Sequence, residues 1–264
     1  MKLVFLGTGT STGVPQLRCR CATCTSSDPR DKRLRASVMI QTEEGAPWIL
    51  IDCGPDFRQQ MLNNGSPDLA CVLITHTHYD HVGGIDDLRP YCPTAPDGHF
   101  PVYCRKDVAT DMRNRVPYCF ARKLYPGVPT FNIHEIDAPQ PFIIEIPGFK
   151  PVEVKPLRIM HAALPILGFR IGKLVYITDC SHMPQETLDE IRGAEVLVIN
   201  ALRHTEHPSH INLLQALNVI KETGPAQAYL THMSHQMGPQ AETEKLLPSG
   251  TAFAFDGLTV EIND

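Results

Sequence analysis

The chain of 264 residues has no run of apolar residues approaching the roughly 20 that a membrane helix requires. Its first apolar stretch, Met1 to Leu6, passes straight into Gly7-Thr8-Gly9-Thr10. That is shorter than the hydrophobic region of a secretory signal, so it reads as a first strand of a soluble, cytoplasmic protein without a membrane partner. Basic charge is not in excess either: 24 Lys and Arg stand against 29 Asp and Glu, for a formal net charge of -5. That balance argues against an extended nucleic-acid duplex as partner, although a small anionic substrate needs only local positive charge. Aromatic residues make up 7% of the chain, thin for a platform that stacks bases, and no long basic, glycine-rich arm is present. Internal repeats and low-complexity segments are also missing. The 42% of hydrophobic residues suffices for one sizeable core, and a single compact unit is expected.

Nine cysteines cannot all pair. Six of them, Cys53, Cys71, Cys92, Cys104, Cys119 and Cys180, are scattered singly and read as small buried hydrophobes in a reducing compartment. The other three, Cys19, Cys21 and Cys24, form a C-x-C-x-x-C cluster just after a glycine-rich loop. On these residues alone three readings compete: a redox centre, a disulfide with one thiol spare, and a metal site short of a ligand. A reducing compartment disfavours the disulfide, and the thioredoxin-like βαβ pattern that accompanies a redox pair is not seen.

Short β-branched runs recur along the chain: KLVFL, ASVMIQT, WILIDC, CVLITH, LGFRI, KLVYITD, VLVINA, AQAYLTH and LTVEI. Each is bounded by turn residues, which is a strand signature. Helices are predicted over Pro55–Gly65, over Pro184–Gly193 and after His207, the last with Ser209 as N-cap and Gly224 as stop. Strands dominate the first half and alternate with helices in the second, which suggests two β-sheets covered by helices, an α/β protein. The stretch from about 90 to 151, dense in Pro, Arg and Tyr, reads as an insertion near the site within a single domain spanning 1–264. Gly7, Gly9 and Gly13 do not keep the G-x-G-x-x-G spacing and read as a tight surface turn.

The densest chemistry lies in Thr75-His76-Thr77-His78-Tyr79-Asp80-His81, which follows the strand CVLI. Three imidazoles and a carboxylate within six positions are too many metal-competent groups to be packing. A tight loop can aim His76 and His78 at one ion and Asp80 and His81 at a second. Further strand ends offer His161, Asp179 and His232.

These motifs, with Leu50-Ile51-Asp52-Cys53-Gly54, resemble the metallo-β-lactamase superfamily over nearly the whole chain. The resemblance implies an αββα sandwich of two mixed β-sheets with helices on the outer faces. It assigns His76, His78 and His161 to one divalent ion, Asp80, His81 and His232 to the other, and Asp179 to both, with Asp52 bracing the loop. Two ions, Zn or Mn, less two aspartates and a hydroxide leave the site about one unit positive, which suits an anion. Coordination can lower the pKa of water to roughly 7, so a hydroxide nucleophile is available at neutral pH.

Within the superfamily, Gly7–Pro15 followed by the cysteine cluster resembles the branch of carbon-phosphorus lyase accessory phosphodiesterases, which act on phosphoribosyl 1,2-cyclic phosphate. The tRNA 3′-end nucleases are relatives of that branch. The function implied is hydrolysis of a small or cyclic phosphate ester, with Asp80, His210 and His207 as catalytic residues. A tRNA 3′-processing nuclease and a thioesterase-like hydrolase are the alternatives, and a homodimer is left open. The resemblance also pairs Cys19, Cys21 and Cys24 with His235, which would close a tetrahedral Cys₃His structural zinc site. Arg89, Tyr91, Arg105, Arg113, Arg115 and Arg122 could face a phosphate, with solvated surface charge as the alternative for each.

Overall fold

A computed structural model describes residues 1–263. Six strands come first: β1 (Lys2–Gly7), β2 (Ser37–Gln41), β3 (Trp48–Ile51), β4 (Leu69–Leu73), β5 (Phe100–Cys104) and β6 (Phe131–Glu135). Seven more follow: β7 (Phe142–Ile144), β8 (Val152–His161), β9 (Leu164–Ile171), β10 (Leu174–Tyr176), β11 (Val196–Asn200), β12 (Gln227–Thr231) and β13 (Thr251–Phe253). The last, β14 (Thr259–Glu261), returns to the first sheet beside β1. The first sheet has the order β14-β1-β2-β3-β4-β5-β6 and the second the order β13-β12-β11-β10-β9-β8-β7. Each is antiparallel on one side and parallel on the other, changing at β3/β4 and at β10/β11. The helices are α1 (Ala22–Thr25), α2 (Phe57–Asn63), α3 (Tyr79–Val82), α4 (Lys106–Arg115), α5 (Gln185–Ile191), α6 (Leu213–Thr223) and α7 (Gln240–Thr243). Among the described residues no helix is long and apolar enough to cross a membrane.

The two-residue side-chain period explains why these apolar runs form buried strands. Leu3 and Phe5 point into the core between the sheets, with Val38, Ile40, Ile51, Phe169 and Val198. Val4 and Leu6 point the other way, into a second cluster that holds Phe57 of α2 and Val108 of α4. A third cluster joins the outer face of the second sheet to Ile191 of α5 and Ala216 of α6. Two sheets face to face with helices outside are therefore what the sequence pattern and the resemblance imply.

Three local expectations are revised. The stretch from about 90 to 151 supplies β5, β6 and β7, so two of its strands extend the first sheet and one extends the second. The cap of α6 is Asn212, whose side chain accepts from Gln215 N while Gln215 returns a bond to Asn212 N; Ser209 lies outside the helix. Gly224, in the left-handed conformation at φ 61°, ends that helix as expected. The glycine-rich loop is at the surface only at Ser11, Thr12 and Pro15. Gly7 and Gly9 are buried: a Cβ on Gly7 would lie 2.0 Å from the Arg35 carbonyl oxygen, so close backbone approach requires glycine there.

Candidate metal centre

The residues of the expected cluster lie at strand ends or, for His78, Asp80 and His81, at the start of α3, which follows β4. Asp52 follows β3, His76 follows β4, His161 ends β8, Asp179 follows β10 and His232 follows β12. In sheets with parallel strands the loops beyond the carboxyl ends form the crevice in which ligands bind. The ligand loop is pinned to its neighbour by main-chain bonds from Cys53 N to His81 O at 2.8 Å and from Gly84 N to Cys53 O at 2.9 Å. Gly54 permits that approach, because a Cβ there would lie 2.0 Å from the Asp80 carbonyl oxygen. Asp52, Asp179 and His232 all have positive φ, 65°, 54° and 56°. That conformation is costly for such residues and clusters at functional sites.

Two donor groups result. His76, His78 and His161 offer atoms within 4.8 Å of one another, and so do Asp80, His81, Asp179 and His232. The side chains suit divalent ions. His76 Nε2 and His81 Nε2 are buried without a hydrogen-bond partner, and His81 Nε2 lies 3.1 Å from Asp80 Oδ2 and 3.2 Å from Asp179 Oδ2. Burial opposes charge on His81, yet Asp179, Asp80 and Asp52 hold its pKa well above the ordinary value. Burial raises Asp80 and Asp179, but His81 pulls Asp80 below the usual carboxylate range, and His232 with His81 does the same to Asp179. These carboxylates therefore demand positive charge where the imidazoles converge. Burial pushes His76, His78 and His232 down, toward the neutral form that ligates metals.

Contacts behind these donors fix their tautomers. Asp52 is fully buried, accepts from Thr75 N at 2.8 Å and from Thr75 Oγ1, and receives His81 Nδ1–H at 2.7 Å. His161 Nδ1–H donates to Ser209 O at 2.7 Å, which leaves its Nε2 free to ligate. His210 sits inside the cluster: its ring centroid is 4.7 Å from that of His161 and 5.1 Å from that of His232. With His161 and Asp179 it forms a third set of donor atoms within 4.8 Å, a proximity that the sequence does not reveal. Burial, then the neighbouring His232, push its pKa down to about 3. His207 stands one ring further out, 5.2 Å from His210, with Nδ1 accepting from Ser209 N.

At the other end of the same segment, Cys19, Cys21, Cys24 and His235 form a separate group of four donors. His235 Nδ1 lies 3.3 Å from the sulfurs of Cys19 and Cys21, and Cys24 Sγ accepts from Gln16 N. Met233 lies between the two centres, bonded through its N and O to Thr8 and Thr10 of the glycine-rich loop. Thr10 Oγ1 is 3.2 Å from His232 Nε2, a contact that the sequence reading missed because the loop and His232 are 222 residues apart. Of the six insertion side chains considered, Arg115 reaches the ligand loop, at Thr77 O. Arg89, Arg105 and Arg113 pair with Asp86, with Asp107 and Asp137, and with Glu135, and Tyr91 packs on Phe57 and Phe100.

Comparison with known proteins identifies the fold family. The model of the beta-lactamase superfamily domain matches residues 47–233. The chain is 41% identical over 265 residues to the octanoyltransferase of Porphyromonas gingivalis strain ATCC BAA-308 / W83, covering 100% of this chain and 52% of that protein. It thus spans about half of that relative's length. A new diphosphatase from the PhnP family matches in structure with a TM-score of 0.88 at 36% identity, over 98% of this chain and 96% of that one. Human tRNase Z, short form, shares the fold with a TM-score of 0.71 at 20% identity over 100% of both chains.

Proposed function

We propose that this chain, which belongs to the beta-lactamase superfamily, is a metal-dependent hydrolase whose substrate is a small or cyclic phosphate ester. The observation that carries the reading is the convergence of seven donors into two adjacent groups, in a chain similar from end to end to a PhnP-family diphosphatase. His76, His78 and His161 would hold one divalent ion, and Asp80, His81 and His232 the other, with Asp179 placed to serve both. Bound there, the ions supply a hydroxide nucleophile at neutral pH and neutralise charge on a phosphoryl group. Asp52 keeps the proton of His81 on Nδ1, so that Nε2 faces the carboxylates. His210, neutral and largely enclosed beside Asp179, is placed to contact the phosphoryl group and to accept a proton, and His207 is placed to carry that proton to solvent. Cys19, Cys21, Cys24 and His235 hold a structural zinc.

The test is metal analysis joined to a hydrolysis screen with Zn or Mn. Bis(4-nitrophenyl) phosphate, a ribose 1,2-cyclic phosphate ester, a nucleoside diphosphate, an octanoyl thioester and precursor tRNA serve as substrates. Turnover of a small phosphate ester, lost in Asp80→Ala, supports the reading; thioester cleavage without hydrolysis of any phosphate ester overturns it. The thioester is included because the relative from Porphyromonas gingivalis is called an octanoyltransferase. An acyl-hydrolase reading therefore stands second.

A further inference from the structure

The ligand loop is held from two directions. From beneath, Asp52 binds Thr75 and His81. From outside, α4 grips Thr77, the residue between His76 and His78. The Asp111 carboxylate accepts the Thr77 hydroxyl, Arg115 Nη2 donates to the Thr77 carbonyl at 3.0 Å, and Arg115 Nε donates back to Asp111 across one helical turn. Side chain and main chain of a single loop residue are thus fixed by one charged pair at spacing i,i+4.

The value of that grip follows from His78. A metal-ligating histidine almost always engages its second ring nitrogen with a partner that fixes its orientation. The other imidazoles of the two donor groups comply. His76 Nδ1 meets Thr75 Oγ1 at 3.0 Å, His81 Nδ1 meets Asp52 at 2.7 Å, His161 Nδ1 meets Ser209 O at 2.7 Å, and His232 Nδ1 meets Thr178 Oγ1 at 3.4 Å. The exposed ring of His78 has no such bond among the described residues. Apart from edge-on contacts with the His76 and His161 rings, its orientation comes through its backbone, and Thr77 immediately precedes it.

We infer that Asp111 and Arg115 are positioning residues that set His78 through Thr77 and thereby tune the His76, His78 and His161 metal position. The inference rests on the assignment of those three histidines to one ion. It also gives α4 a duty beyond packing: the stretch from about 90 to 151 extends the first sheet and braces the loop that precedes it.

Zinc is titrated against a chromophoric chelator into the metal-free full chain and into Asp111→Ala, Arg115→Ala, Thr77→Val and His78→Ala, with bound zinc counted by mass spectrometry. His78→Ala identifies the step of the isotherm that belongs to the three-histidine position. That step should weaken roughly 10- to 100-fold in Asp111→Ala and Thr77→Val, and the double variant with Arg115→Ala should lose no more than the larger single loss. The other steps should hold, and the metal-free Tm should stay within about 2 °C, because the charged pair is partly open to solvent. An unchanged step, or a parallel fall of every step and of the Tm, overturns the positioning role while leaving the metal assignment intact. If His78→Ala leaves every step unchanged, the assignment itself fails and takes the inference with it.

Discussion

Replacing Asp52 by asparagine changes a few atoms in a fully buried site and should weaken the protein's hold on one ion. The carboxylate accepts on both oxygens: Thr75 N at 2.8 Å on Oδ1, His81 Nδ1 at 2.7 Å on Oδ2, and the Thr75 hydroxyl on either. An asparagine has one acceptor oxygen. If that oxygen keeps Thr75 N–H, the amide NH₂ faces His81 Nδ1, which must then accept, and the ring proton moves to Nε2. That is the atom 3.1 Å from Asp80 Oδ2 and 3.2 Å from Asp179 Oδ2, and once protonated it has no lone pair for an ion. If the amide turns over, Thr75 N–H loses its acceptor, and a buried unsatisfied donor costs about 1 to 3 kcal/mol. Either arrangement should weaken the Asp80, His81, Asp179 and His232 position by about 10- to 100-fold, or roughly 1.4 to 2.8 kcal/mol. Chelator competition with zinc measures it, with the step assigned through Asp80→Ala. Wild-type affinity at that step in Asp52→Asn would refute the tautomer argument.

Three further outcomes follow from the same geometry. Gly54→Ala drives a methyl against the Asp80 main chain and should cost about 1 to 3 kcal/mol in thermal unfolding together with zinc at the Asp80 and His81 position; wild-type Tm and zinc content would count against it. The neighbouring His235 lowers the Cys21 thiol to about 6, whereas burial raises Cys24 to about 11. Alkylation of the metal-free protein at pH 7, mapped by mass spectrometry, should therefore reach Cys21 first and slow as the pH falls below about 6, and stoichiometric zinc should suppress it; equal rates at the two thiols would contradict this. For His210, the ordinary value near 6.5 falls to about 3 on folding, so between those limits the unfolded chain binds a proton that the folded chain refuses. Stability of the metal-free protein should decline as the pH drops through that window, by at most about 5 kcal/mol from this residue, and His210→Gln should flatten the decline in urea-unfolding midpoints.

The donors were legible because they fall at strand ends, where a short apolar run stops and a polar loop begins. Asp52, His76, Asp179 and His232 each follow such a run directly. Strand β8 was harder to see: its alternation of buried and exposed residues is interrupted by Pro156, a residue that ordinarily demotes a strand. The start of α6 was misplaced by three residues, although Asn212 and Gln215 carry the capping-box pattern. Thr10 beside His232, and Asp111 with Arg115 on Thr77, were beyond reach for another reason. The partners lie 222, 34 and 38 residues apart, and a pattern read locally contains no information about which distant surfaces meet.

Each proposed ion draws its donors from both sheets. His76 and His78 belong to the first and His161 to the second, while Asp80 and His81 belong to the first and Asp179 and His232 to the second. Neither half of the chain, expressed alone, carries either full donor set, so uptake at full affinity should report that the halves have docked. The ions thereby become rivets between the sheets, and free zinc adds to the stability of the assembled sandwich by mass action. A chain cut in the loop between β6 and β7 and reassembled from two fragments should recover zinc binding and closure together, an all-or-none signal that a site built on one sheet could not give.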